Sequence, residues 1–415
     1  MRQILDAHIH SRYSRACSPN LTLPNIESTC LKKGVDIVGT GDFTHPQWFA
    51  QIKKLLIETK FGSGLYYLKS SLSKKVKFIL SSEVALIYKD AGRVRKVHLI
   101  ILAPNISAVE KLNNQWDKRF NLRSDGRPIL GMSAPQLVRE CLQIDPNFLI
   151  YPAHIWTPWF AVLGSKSGFD SLSDCFGVEI KNILAYENGL SSDPALNWRL
   201  SALDNFVSLS SSDAHSLANI GREATVLDLG AVTYQEIYQA IKDKDLRKIK
   251  YTIEFYPEEG MYYLDGHRNC RFSCRPEKSK GLKNICPICK KDLTLGVAYR
   301  IDELADRKLG FIPKDVPTYK KLIGLDKIIA EALGVKSRQS KKVQAEYQKL
   351  IDNFGSELHV LLDLDLKMTV GTVNPLIIEG IKRVRSGQLI INPGFDGQYG
   401  VISIFNEKEN KKIKE

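Results

Sequence analysis

The sequence predicts an α/β fold across its first half, and three observations predict it. Short β-rich runs (ILDAHIH, VDIVGTGDF, KFILSSEVAL, VHLIILAP, NFLIYPAHI, FGVEIKNILAYEN, NFVSLSSSD and REATVLDL) alternate with longer helical or loop-rich stretches, as βαβ units around a parallel, closed sheet do. Histidines and carboxylates recur on or just beyond the ends of these runs. Within the runs, parity places them together: Ile4, Asp6, His8 and His10 share one face of ILDAHIH while Leu5, Ala7 and Ile9 share the other, because successive side chains on a strand alternate.

The apolar face of ILDAHIH is expected to pack on helices while both histidines face the mouth of the sheet. Ile79, Ser81 and Glu83 share a face in the third run, and Ser211, Asp213 and His215 do so at the end of the seventh and just beyond it. In a closed α/β barrel the functional groups sit at the C-terminal strand ends. Of eight histidines, six (His8, His10, His45, His98, His154 and His215) fall in such places, joined by Asp42, Glu83 and Asp213. A lone histidine is more often a hydrogen-bonded core residue than a ligand. Nine groups repeating one position in strand after strand point instead to a site for two or three divalent metals. Histidine-rich ligation suits zinc, manganese or iron, with magnesium as a candidate at a carboxylate-rich position. His359 is expected to be structural, and His267 to be a spare ligand or a phosphate contact.

A chain of 415 residues is long enough for two or three domains. Its net charge of +13 is uneven: residues 241–415 carry 33 basic against 24 acidic side chains, from totals of 59 and 46. A basic region beside a metal site favours a polyanionic partner, nucleic acid before membrane. No apolar run approaches the roughly 18 residues needed to cross a bilayer, and MRQILDAHIH lacks the layout of a signal peptide. Cys17, Cys30, Cys141 and Cys175 are scattered as free thiols are. The expectation is a cytoplasmic, monomeric enzyme.

Cys270, Cys274, Cys286 and Cys289 form a C-x3-C-x11-C-x2-C cluster, which predicts one structural zinc stapling a small module with little core. Between Arg268 and Lys291 there are eight Lys or Arg and one acidic residue, so Arg268, Arg271 and Arg275 are candidate contacts to a DNA backbone. Trp156 and Trp159, in the loop after His154, are candidate stacking groups, and Lys166 in GSKSGFD a candidate phosphate contact. Asp193 precedes Pro194 and an apolar run, the arrangement of a helix N-cap. It also follows a strand aimed at the same mouth, which makes it a candidate catalytic carboxylate with Asp213. Beyond residue 300 the pattern is mainly helical and ends in a hairpin, QLIINPGFDGQYGVISIF, before a polar tail.

The order HxH, TGD in place of TDH, an isolated Glu, HLIILA, PAH and SDAH resembles the PHP superfamily, the polymerase and histidinol phosphatase phosphoesterases, over about the first 240 residues. GTGDFTHPQW, SSEVALIYK, PAHIWTPWF, GSKSGFDSL, GLSSDPALNWRLS, SSDAHS, the cysteine cluster and NPGFDGQYG are similar to endonuclease Q over almost the whole length. The resemblance implies a distorted (β/α)7-type PHP barrel at 1–247, a zinc-ribbon-like domain at 248–300 and a mainly helical C-terminal domain at 301–415. It implies a DNA repair endonuclease that recognises uracil, hypoxanthine, xanthine or abasic sites and cuts 5′ to the lesion. His8, His10, Glu83, His98, His154, Asp213 and His215 match metal-binding positions. Phe43 stands where that pattern has histidine, leaving Asp42 or His45, or both, to serve. The alternative on the same barrel is a small-molecule phosphatase or phosphodiesterase, which leaves the zinc cluster without a purpose.

Overall fold

The computed structural model describes residues 1–406, 408, 409 and 413; the expected polar tail lies largely outside them. The chain divides into two compact units, one of residues 1–31, 35–253 and 303–319, the other of residues 32–34, 254–302 and 320–415.

The first unit is built on strands β1 (Arg2–Asp6), β2 (Ile37–Gly39), β3 (Leu56–Glu58), β4 (Leu65–Leu68), β5 (Lys77–Asp90), β6 (Arg93–Ala103), β7 (Ile129–Leu130), β8 (Leu149–Pro152), β9 (Ala185–Glu187), β10 (Val207–Leu209), β11 (Ala224–Asp228) and β12 (Ile249–Glu254). The order is β12-β11-β1-β2-β5-β4-β3, with β6 and β7 also on β5, and β8 on β6; β9 and β10 pair separately and in parallel. β1, β2 and β5 run parallel, as expected. The sheet as a whole is mixed rather than parallel, since β11 pairs antiparallel with β1 and β12, and β6 with β5 and β8.

The chief cause is the segment KDAGRV. Only Ala91 and Gly92 separate β5 from β6, both at positive φ (44° and 78°), and a two-residue loop of that kind joins only antiparallel strands. A second expected strand is largely absent, because Gly177–Asn182 within FGVEIKNILAYEN forms a 3-10 turn and only Ala185–Glu187 pairs. Leu5, Ala7, Ile37, Ile79, Ile100, Tyr151 and Leu209 bury the core under the site, supplying the bulk of its stabilisation at ~25 cal/mol per Å2 of apolar surface.

In the second unit the hairpin of β13 (Asp265–His267) and β14 (Phe272–Cys274) leads into the cysteine knuckle. Helices follow at Leu325–Ala332, Lys341–Phe354, Glu357–Leu362 and Pro375–Ser386. The last stops at Gly387, whose φ of 70° closes the helix in the left-handed conformation. Ile390–Asn392 pairs with Val401–Ser403 in the expected hairpin. Among the described residues no helix is long and apolar enough to cross a membrane.

Candidate metal centre

Backbone pairing beyond the strand ends brings the site together. Ile9 bridges Ala214 in parallel and His10 N–H donates to the Ala214 carbonyl at 3.1 Å, so HIH lies alongside DAH. Glu83 and His98 are not at strand ends; they sit inside the long β5–β6 pair, where Glu83 opposes Ile100 and Ala85 opposes His98. That register puts the two side chains on one face as diagonal neighbours. Three site residues hold left-handed backbone: Asp42 at φ 48°, His154 at 28° and Asp213 at 46°. Such conformations cost of order 1–3 kcal/mol each for non-glycine residues and cluster where a side chain must be aimed.

Two groups of ligand atoms converge and share one residue. His8, His10, Glu83 and Asp213 form the first, and Glu83, His98 and His154 the second. Glu83 Oε2 lies 3.3 Å from His10 Nε2 and 3.6 Å from His8 Nε2. Its Oε1 lies 2.7 Å from His98 Nδ1 and 3.0 Å from His154 Nε2. One carboxylate, fully buried, thus serves each group with a different oxygen. Asp213 Oδ1 completes the first group at 3.1 Å from His10 Nε2 and 3.5 Å from His8 Nε2.

The imidazoles are held from behind. His8 Nδ1 lies 3.0 Å from Glu187 Oε2, and His10 Nδ1 3.1 Å from Asp42 Oδ1. A carboxylate behind Nδ1 places the proton there and leaves the Nε2 lone pair facing the centre, the arrangement metal-ligating histidines adopt. His8 Nε2 is buried with no hydrogen-bond partner in the protein. That orphaned atom between two carboxylates, in a set of neutral nitrogens and hard oxygens, fits a divalent ion.

Electrostatics agree with that reading. Burial acts to raise the Glu83 pKa, but the His98 and His8 imidazoles hold the group well below the ordinary carboxylate range. Burial lowers His98 to about 4, keeping it neutral. Burial also acts to lower His8 and His10, yet Glu187, Asp213 and Glu83 around the first and Asp42 beside the second raise both well above the usual imidazole value. The carboxylates that favour a proton on these rings equally favour a cation, which competes with it, so metal affinity should fall as pH drops and binding should release protons. Calorimetry in buffers of differing ionisation enthalpy reads that release; an enthalpy independent of buffer would contradict it.

The other expected residues fall around these groups. Asp42 belongs to neither; it accepts from Ser11 N at 2.6 Å and from the Ser14 hydroxyl at 2.9 Å while orienting His10. His45 precedes the helix Pro46–Leu55 and stacks on Tyr13 with 4.4 Å between centroids, outside both groups. His215 lies beside the first group, its ring 4.5 Å from that of His10 and its Nδ1 2.9 Å from the Asp213 carbonyl. Asp193 is the N-cap of Pro194–Asn197, accepting from Leu196 N at 2.9 Å. Trp156 is not available for stacking: it is 1% exposed and its indole N–H donates to Asn197 Oδ1 at 2.5 Å. Trp159 is 54% exposed, with Lys96 Nζ 5.7 Å from its ring, and Lys166 is exposed.

Glu187, the last residue of β9, was missed in the sequence. It holds His8 and also accepts from His154 N at 2.9 Å, so Glu187→Gln should weaken metal binding by roughly 10–100-fold. Titration with a competing chelator measures this; unchanged affinity would remove Glu187 from the site. Arg127 was missed as well: its Nη1 lies 2.9 Å from Glu83 Oε2.

The second cluster differs from the expected one by one residue. His267, Cys270, Cys286 and Cys289 converge, with Cys289 Sγ 3.4 Å from His267 Nδ1, and Cys274 is outside. The hairpin explains it, since Cys274 pairs with Asp265 while His267 pairs with Phe272, leaving Cys274 two residues, about 7 Å, further from the turn. Three sulfurs and one imidazole suit a closed tetrahedral zinc site. Its core is only Cys274, Cys286 and Leu293, edged by Cys270, Phe272 and Cys289, too small to hold the knuckle alone. Arg268, Arg271 and Arg275 are exposed on it.

Metal-ligand groups of this kind on a mixed α/β unit fit a metal-dependent hydrolase, and two solved structures make it a DNA endonuclease. The lesion-specific endonuclease Q of Pyrococcus furiosus is 33% identical, with a TM-score of 0.86 over 98% of this chain and 96% of its own. An endonuclease Q bound to a 27-mer duplex with an abasic lesion at its active site is likewise 33% identical, with a TM-score of 0.84 over 99% and 98%. The chain belongs to the endonuclease Q family. Residues 324–388 match the MJ0043 C-terminal domain. The protein MJ0043 of Methanocaldococcus jannaschii is 32% identical over 260 residues, 61% of this chain, which spans only 32% of that protein.

Proposed function

We propose that this protein is a DNA repair endonuclease that hydrolyses the phosphodiester 5′ to a deaminated base (uracil, hypoxanthine or xanthine) or an abasic site, leaving a 3′-hydroxyl and a 5′-phosphate. The observation that carries the reading is the pair of ligand groups joined through the two oxygens of Glu83. Its support is the likeness to an endonuclease Q that holds an abasic duplex at its active site. Divalent ions held by His8, His10, Glu83, His98, His154 and Asp213 would supply Lewis acidity toward the phosphoryl group and lower the pKa of a water. The protein's part is to keep the His8 and His10 lone pairs inward through Glu187 and Asp42, and to bury Glu83 away from competing water.

A deaminated or abasic position is weakly paired, so extruding it costs less than extruding a sound base. In this reading the residues 1–247 act as a PHP barrel, 248–300 as a zinc-ribbon-like DNA contact through Arg268, Arg271 and Arg275, and 301–415 as a third domain. Lys166 and exposed Trp159 are contacts to the strand, His45 and His215 peripheral ligands, and the enzyme acts as a cytoplasmic monomer. Labelled duplexes bearing one uracil, hypoxanthine or abasic site, incubated with and without manganese or magnesium, test it. Metal-dependent cleavage 5′ to each lesion is expected; no cleavage of any duplex alongside turnover of histidinol phosphate would falsify it. Asp193 is included as a catalytic group, so Asp193→Asn, which keeps a capping oxygen, should lower kcat while thermal stability changes by less than about 0.5 kcal/mol. A normal kcat leaves it a cap alone.

A further inference from the structure

We propose that Arg127 binds the non-bridging oxygens of the scissile phosphate, and that Glu83 is its anchor before the substrate arrives. This rests on the nuclease reading above. The loop that carries Arg127 is fitted to the metal centre from both sides. Gly126 N–H donates to the Tyr13 carbonyl at 3.0 Å, and a Cβ on Gly126 would stand 2.4 Å from both Asp42 Oδ2 and Ser14 Oγ. Only glycine lets the chain pass so close to the carboxylate that orients His10. After Arg127, the Pro128 carbonyl accepts from Ala85 N at 3.0 Å, and β7 pairs with β5 at Ala85 and Leu86. Continued back by two residues, that parallel register sets Arg127 beside Glu83.

The guanidinium has one arm on Glu83 Oε2 at 2.9 Å, the oxygen that faces His8 and His10. Its side chain keeps 23% exposure where Glu83 has none, and Asp213, the other carboxylate of that group, keeps 22%. Arg127 therefore lies where the buried ligand cluster opens to solvent. Arginine carries five N–H donors in a planar fork suited to two oxygens of one phosphate. A carboxylate committed to divalent ions has less charge to offer a guanidinium, and a cation beside those ions needs an anion. A phosphodiester meets that need, and fixed guanidinium donors on a phosphoryl group stabilise the charge that develops there.

The rival role is purely to orient Glu83, and the two separate by experiment. Full-length Arg127→Met and Arg127→Lys proteins are compared with wild type for metal content by mass spectrometry, for inhibition by inorganic phosphate, and for kcat and KM on the abasic duplex. The proposal expects full metal content in both variants, phosphate inhibition weakened at least ~10-fold and kcat/KM lowered ~100-fold in Arg127→Met. Arg127→Lys should recover inhibition in part, because it restores charge without the fork. Metal loss in step with activity, or unchanged phosphate inhibition, overturns it. Failure of the wild type to cut any lesion duplex overturns the nuclease reading instead, and that leaves phosphate inhibition of histidinol phosphate turnover to judge Arg127.

Discussion

Glu83→Gln is expected to lower single-turnover cleavage by at least ~1000-fold, since electrostatic and metal terms of several kcal/mol depend on one residue. The substitution keeps the shape of the side chain and exchanges one oxygen for an amide nitrogen, which has no lone pair to offer a cation. Both oxygens have partners, Oε2 toward His8, His10 and Arg127 and Oε1 toward His98 and His154. Either orientation of the amide therefore disables one ligand group and removes the negative charge from both. Bound metal should drop along with rate, while the proposed contacts at Lys166, Arg268, Arg271 and Arg275 keep affinity for a lesion duplex. Asp213→Asn touches only the first group and should also abolish cutting, yet keep metal at the His98–His154 side. Equal and full metal content in Glu83→Gln would show that the two groups do not share a ligand.

The convergence of His8, His10, Glu83 and Asp213 was legible in the sequence because ligand chemistry and chain order both marked it. Glu187 was not, since a glutamate closing the short strand AYE looks like any polar strand end until its oxygens are seen at His8 Nδ1. The signal available was its place, one more carboxylate at the end of a run of the same sort. Arg127 sits in a loop with no period to read. The mixed sheet was written in KDAGRV, where a two-residue turn forbids the helical crossover that a parallel arrangement needs. Trp156 was misplaced because proximity to His154 in sequence says nothing about direction, and its indole points to buried Asn197. Asp193 shows the opposite case: Asp-Pro before an apolar run predicts a cap from local chemistry alone, and the cap is formed.

The knuckle yields the second large effect. Cys286→Ala or Cys289→Ala should release a zinc held there and unfold the segment around residues 265–295, because metal binding supplies on the order of 10 kcal/mol to sites of this kind and the core there is Cys274, Cys286 and Leu293. Cys274→Ser separates this ligand set from a four-cysteine one. Cys274 is buried opposite Asp265 on the hairpin and is not among the converging atoms, so the serine variant should keep one equivalent of zinc and lose only packing, about 1 kcal/mol. His267→Ala should do the reverse, loosening the metal while Cys274 stays in place. Burial raises the Cys270 thiol to about 11, with Cys289 and Cys286 adding to it, so a zinc bound there must displace thiol protons and its release should accelerate as pH falls. A chromogenic chelator follows the zinc, and limited proteolysis within 268–291 follows the fold. Zinc lost from Cys274→Ser but kept by His267→Ala would reinstate the four cysteines as the ligand set. The pattern expected here leaves the hairpin register, which pairs His267 with Phe272 nearer the turn, as the reason a histidine displaces the second cysteine.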